Sequence, residues 1–134
     1  MMMIDDMERH AIEWDCTRLI HLYANLNDAA DWGAVAALYA EDGSMTRPTA
    51  PDSPVIGRDA ILAAFLSRPP RTTRHVCANV VIDVVDANHA TGASVILLYT
   101  STAPPIVGGF NDRFVRTKAG WHFAERRGTV TFAP

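Results

Sequence analysis

The sequence predicts an α+β domain: three N-terminal helices packed on a strongly curved antiparallel sheet of four long strands plus a short one. Two observations carry this. Apolar side chains recur at helical spacing up to about residue 68, whereas β-branched runs separated by short turns fill the chain after Pro70. Helices and strands are therefore segregated along the chain rather than alternating, as in α+β folds.

The first helix is expected from Asp5 to Ala30. Ile12, Cys16, Leu19, Tyr23, Leu26 and Ala30 recur in steps of four and three along one side, and Ile20 widens the stripe. Asp31 suits the N-cap of a second, shorter helix through Tyr39, with Val35, Leu38 and Tyr39 inward, and Glu41-Asp42-Gly43 ends it. Ser44 to Arg47 reads as a short strand. Pro48 to Gly57 holds three prolines and no period, and is expected to be a loop over a pocket mouth. Ile61, Leu62, Phe65 and Leu66 place a third helix over Arg58 to Arg68, stopped by Pro69-Pro70.

Thr72 to Val85, Ala90 to Thr102, Ile106 to Thr117 and Trp121 to Phe132 are the four long strands, and their short connections favour antiparallel neighbours. In the first, Val76, Ala78, Val80, Ile82 and Val84 make one apolar face, opposite His75, Cys77, Asn79 and Val81. Both faces of the next are apolar, with Val95, Leu97 and Tyr99 against Ile96 and Leu98. Three helices cover one side of a sheet only. The other face is expected to meet a second subunit, with cover by the C-terminal strand or loops as the alternative.

Bulk properties narrow the function classes. At 134 residues, 49% apolar and 20% charged, residues 1–134 read as one ordered domain with a real core. A formal charge of −3 gives no field for nucleic acid, and the only local positive excess is around Arg68, Arg71 and Arg74. Cys16 and Cys77 read as buried hydrophobes. Met1-Met2-Met3-Ile4-Asp5-Asp6 lacks the basic end and apolar stretch of a secretory signal, and no apolar run spans a bilayer, so a cytoplasmic location is expected. No metal or cofactor is expected: His10, His21, His89 and His122 lack ligand spacing, and Gly108-Gly109 lacks the context of a phosphate loop.

Tyr23-Ala24, Asn27 to Trp32, Leu38-Tyr39 with Asp42, Gly57-Arg58 with Ala60-Ile61, Thr73-Arg74-His75, and Asn111 to Phe114 before Gly120-Trp121 occur in an order that resembles the SnoaL-like branch of the nuclear transport factor 2-like superfamily. The resemblance covers nearly the whole chain and implies a cone, in which a bent sheet wraps the long helix and leaves a cavity at its wide end. Laid over the motif of scytalone dehydratase, a related enzyme, it puts a catalytic histidine at His75, the aspartate that orients it at Asp28, and a pocket asparagine at Asn111. Asn27 stands in place of one catalytic tyrosine, and no tyrosine replaces the second near Met45 and Thr46, so a different substrate is expected. The small subunit of ring-hydroxylating dioxygenases also has this fold, which leaves an assembly role or a non-catalytic ligand-binding module as alternatives.

The residues fit that chemistry. An imidazole takes and returns a proton near neutral pH, and a carboxylate fixes its tautomer, the requirement of cofactor-free dehydration and isomerisation. His75 and Asp28 are thus the catalytic candidates, and Tyr23, Asn27, Met45, Tyr99, Phe110 and Asn111 the residues expected to contact a small apolar or cyclic, oxygen-bearing ligand. Trp14 is a further pocket candidate. Asp28 lies off the apolar stripe, close to which Asn27 falls, and reaches the cavity only if the helix end unwinds or tilts. Of Arg126 and Arg127 at most one points inward, a surface pair with Glu125 or Asp112 being the alternative. The Asp-Arg-Asp arrangement of limonene epoxide hydrolase, which shares the fold, is not expected, because Asp112 and Arg113 face opposite sides of one strand.

Overall fold

The computed structural model describes residues 4–134; the Met1-Met2-Met3 of the non-signal reading lies outside them. The first helix, α1 (Asp6–Asp28), is capped by Asp5, whose Oδ1 accepts from the Glu8 amide at 2.7 Å. Its inner stripe of Ile12, Cys16, Leu19, Ile20 and Tyr23 is buried, and Trp14, on the other side, is 70% exposed and not in a pocket. Among the described residues no helix is long and apolar enough to cross a membrane.

The end of α1 sets the position of Asp28. The Ala30 amide donates to the Asn27 carbonyl and the Asp31 amide to the Leu26 carbonyl, both at 3.0 Å. This is a Schellman ending, and it puts Ala30 at φ 56°, where glycine is usual. Asp31 then caps α2 (Trp32–Ala37), accepting from the Ala34 amide.

The sheet departs from expectation at its first strands. Tyr39 does not continue the second helix: it opens β1 (Tyr39–Arg47), and the expected loop from Pro48 forms β2 (Ala50–Ile56). After α3 (Arg58–Leu66) come β3 (Arg74–Asp86), β4 (His89–Tyr99), β5 (Ile106–Thr117) and β6 (Gly120–Phe132). These described strands form one sheet in the order β2-β1-β6-β5-β4-β3, so there are six strands where five were expected. The sheet is also mixed, since β1 runs parallel to β6, with Tyr39 beside Phe123, while the other neighbours are antiparallel. The prolines are tolerated because β2 is an edge strand with one side unpaired.

Two bulges decide which side chains face inward. In β3 the register slips between Ala78 and Val81, with Asn79 at φ 53°, a conformation asparagine tolerates. The inner face is therefore His75 and Cys77 before the bulge and Val80, Ile82 and Val84 after it; Val76 and Ala78 turn outward. In β6 the extra residue is Ala124, which brings Arg126 inward where strict alternation from Phe123 would have chosen Glu125 and Arg127. The core lies between this concave face and the helices, with Phe65, Phe114, Phe123 and Ile61 essentially sealed.

Candidate active site

Asp28 does not enter the cavity; His75 does, and the two meet where the end of α1 lies beside the start of β3. The Asp28 Oδ2 accepts the His75 backbone amide at 2.9 Å, and Oδ1 accepts the Thr73 hydroxyl at 2.9 Å. Oδ1 also lies 2.5 Å from His75 Nδ1. An ionised carboxylate only accepts, so Nδ1 carries the proton and Nε2 of the neutral ring is left bare. Burial alone would raise the Asp28 carboxyl, but the bonds from the His75 amide, the His75 ring and Thr73 outweigh it and hold the group below the ordinary carboxylate range. Both side chains are largely shielded, 7% exposed for Asp28 and 15% for His75, whereas Arg74, 3.9 Å from Asp28, is 72% exposed and contributes little.

The cavity that His75 lines has a volume of about 490 Å³. Apolar wall is supplied by Met45, Phe65, Ile96, Leu98, Ile106 and Phe110, and Asn27 and Tyr23 face it from α1. Asn111 and Tyr99 are not part of it. Phe110 and Asp112 point inward from β5, so Asn111 between them points outward and is exposed; neighbours on a straight strand cannot share a face. Tyr99 is in phase with the outward Val95 and Leu97, opposite Arg74. A larger depression of about 840 Å³ on the outer face holds Asn111, with Arg113 and Arg127 both ion-paired to Glu125. It is more open and has no buried titratable group, and His75 faces the other cavity.

Of the two arginines of which at most one was expected to point inward, it is Arg126 that does, and its pairing with Asp112 is buried rather than at the surface. Arg126, 1% exposed, donates from Nε and a terminal nitrogen to the two Asp112 oxygens at 2.7 and 3.2 Å. Its guanidinium lies 3.8 to 4.6 Å from the ring centroids of Phe110, Tyr23 and Phe123. Burial raises the Asp112 carboxyl, arguing for protonation; burial also opposes the Arg126 charge, but Asp112 more than offsets this and raises Arg126, arguing for an ion pair. Two-point contact with a guanidinium that does not deprotonate in proteins decides for the ion pair. Beside it, the Tyr23 and Tyr39 hydroxyls are 2.9 Å apart, and burial pushes both phenols up, keeping them neutral. Whichever phenol donates in this bond, the O–H of the accepting phenol is left free to donate elsewhere. Tyr39 and Arg126 line the cavity with His75. The missed signal was the bulge: without it Arg126 cannot be assigned to a face.

Cys16 is inert, its thiol pushed up to about 12 by burial and then by Asp15; Cys77 is raised chiefly by burial.

Helices packed on the concave face of a curved six-stranded sheet, with a cavity between them, are an architecture shared with known proteins. The chain belongs to the SnoaL-like domain family, which matches it over residues 8–127. Among solved structures it is similar to a proposed scytalone dehydratase of Novosphingobium aromaticivorans, at 26% identity and a TM-score of 0.80, covering 93% of this chain and 87% of that one. A nuclear transport factor 2-like protein with a cystatin-like fold from the same species gives 22% identity and 0.79, over 99% and 94% of the two chains. A type 2 hexachlorocyclohexane dehydrochlorinase gives 17% and 0.82, over 96% and 90%. The last two show the fold alone. No curated protein sequence matches the chain.

Proposed function

We propose that the domain carries out cofactor-free acid–base chemistry, a dehydration or an isomerisation, on a small cyclic or apolar molecule bearing oxygen. One observation carries the reading: His75 is held by Asp28 through Nδ1 and lines the apolar cavity, which leaves Nε2 as the ring nitrogen for proton transfer. Nε2 takes a proton from the carbon beside a carbonyl, and Asp28 stabilises the imidazolium. The enolate oxygen is met by the phenol pair or by Arg126. In a dehydration the proton passes to a hydroxyl on the next carbon, the C–O bond breaks and water leaves; in an isomerisation it returns to a different carbon. Likeness to a proposed dehydratase supports the first.

The bicyclic ketone 1-tetralone in deuterium oxide tests the step directly. The protein is expected to accelerate exchange at the carbon beside the carbonyl, and His75→Ala to lose at least about 100-fold of it at unchanged melting temperature. Exchange at the original rate in His75→Ala refutes the role. Release of 1-naphthol from 3-hydroxy-1-tetralone separates dehydration from isomerisation. Asn27, standing where the resemblance calls for a tyrosine, favours a second reading, a ligand-binding module without chemistry. Its signature is tetralone binding that survives His75→Ala with no exchange in either protein.

Self-association is proposed through the outer face of β3 and β4, where Val76, Val81, Val85 and Tyr99 are exposed. Light scattering is expected to give a mass above that of one chain, falling to one chain in Val81→Lys; a wild-type monomer at tens of micromolar refutes it.

A further inference from the structure

The proposed chemistry leaves three arginines of the cavity without a task. Arg47, at the end of β1, and Arg68 and Arg71, beyond α3, all line it together with Arg126. The chain carries 15 acidic and 12 basic side chains, yet no aspartate or glutamate lines this cavity. Asp112 is spent on Arg126, and Asp28 sits behind His75. Among the described residues Arg47, Arg68 and Arg71 form no ion pair.

Two of the three are fixed in place. Arg47 donates to the Ala64 carbonyl at 3.2 Å, and its Nε, sealed from solvent, has no partner at all. Arg68 lies over the Phe65 ring at 4.3 Å, and Phe65 is itself stacked on Trp32 at 5.2 Å. Burial pulls the Arg68 guanidinium down, and Arg47 and Arg71 add to this as nearby like charges. Arg71 is exposed, at the rim. Guanidinium groups held beside one another with no carboxylate between them form a receptor for an oxyanion, whose planar oxygens match their paired N–H donors.

We propose that the cavity selects ligands with an anionic oxygen group, a carboxylate or phosphate, on a compact apolar ring body. Arg47, Arg68 and Arg71 take the anion at the rim, while the ring body fills the apolar interior toward His75. This rests on the cavity being the ligand site, as the proposed function requires.

Calorimetry on the full chain at low salt separates the two claims, using 2-naphthoate, 2-naphthyl phosphate and the neutral 2-naphthamide as matched probes. At least one anion is expected to bind about tenfold or more tightly than the amide, the gain typical of one charge-assisted contact. The tighter anion names the group. Arg68→Gln and the exposed Arg71→Gln are each expected to bring the anion-to-amide ratio toward one, as is added salt. Equal affinities for all three probes overturn the anion preference and leave the ligand site standing. Binding of none overturns both.

Discussion

Replacing Asp112 with alanine leaves Arg126 charged and buried under three aromatic rings with its carboxylate gone. Removing one member of such a pair costs about 3–5 kcal/mol, because the remaining charge has neither water nor counterion. The Phe110, Tyr23 and Phe123 faces solvate part of the cation, which favours the low end of that range. With an unfolding entropy of about 2 cal/mol/K per residue over 134 residues, the melting temperature is expected to fall by roughly 10–18 °C. Urea unfolding followed by circular dichroism, with the cycle of Asp112→Leu, Arg126→Met and both together, measures the coupling. The double substitution is expected to recover most of the loss, since well-packed apolar side chains replace buried pairs at little cost. A loss below about 1 kcal/mol in Asp112→Ala, or additive single effects, would refute the assignment of Arg126 and Asp112 as a buried ion pair.

Three further outcomes follow. The Asp28 carboxyl sits below its unfolded value of about 3.9, so its contribution is fully present above that pH and is lost as pH falls through the lower, folded value. On acidification from pH 5 to 3, thermal stability is expected to drop more steeply in the wild type than in Asp28→Asn; parallel curves contradict this. Ala30→Gly relieves the left-handed backbone at φ 56° and is expected to add about 0.5–1 kcal/mol, the relief exceeding the extra freedom of glycine when unfolded; a less stable variant in urea contradicts it. Cys16 is expected to resist an aromatic disulfide reagent at pH 8 until the protein is denatured; prompt labelling of the native fold contradicts its sealed position.

What could be read from the residues followed how regular each element is. The stripe of α1 was legible because one face is buried from Ile12 to Asn27, about four turns. β2 was not, because an exposed edge strand has no buried face to impose a period of two, and its prolines mimic a loop. The position of His75 beside Asp28 was reached through resemblance. Helical geometry argued only against Asp28 entering the cavity, and Asp28 does stay outside it; β3 brings the imidazole to the carboxylate. Asn111 was misplaced although simple alternation with Phe110 forbade both in one pocket. For Arg126 and Asp112 the sequence offered a pairing only as one alternative, and at the surface. They are adjacent only across the β5–β6 register, which depends on a bulge at Ala124 with no glycine to mark it.

The protonation pattern of the His75 ring tests the central claim most directly, by nitrogen-15 spectroscopy of protein labelled at histidine. Neutral His75 is expected to hold its proton on Nδ1, toward Asp28, with an unprotonated Nε2 whose resonance moves when 2-naphthoate or 1-tetralone enters the cavity. A proton on Nε2 with Nδ1 bare, or an Nε2 signal indifferent to both ligands, would contradict the account.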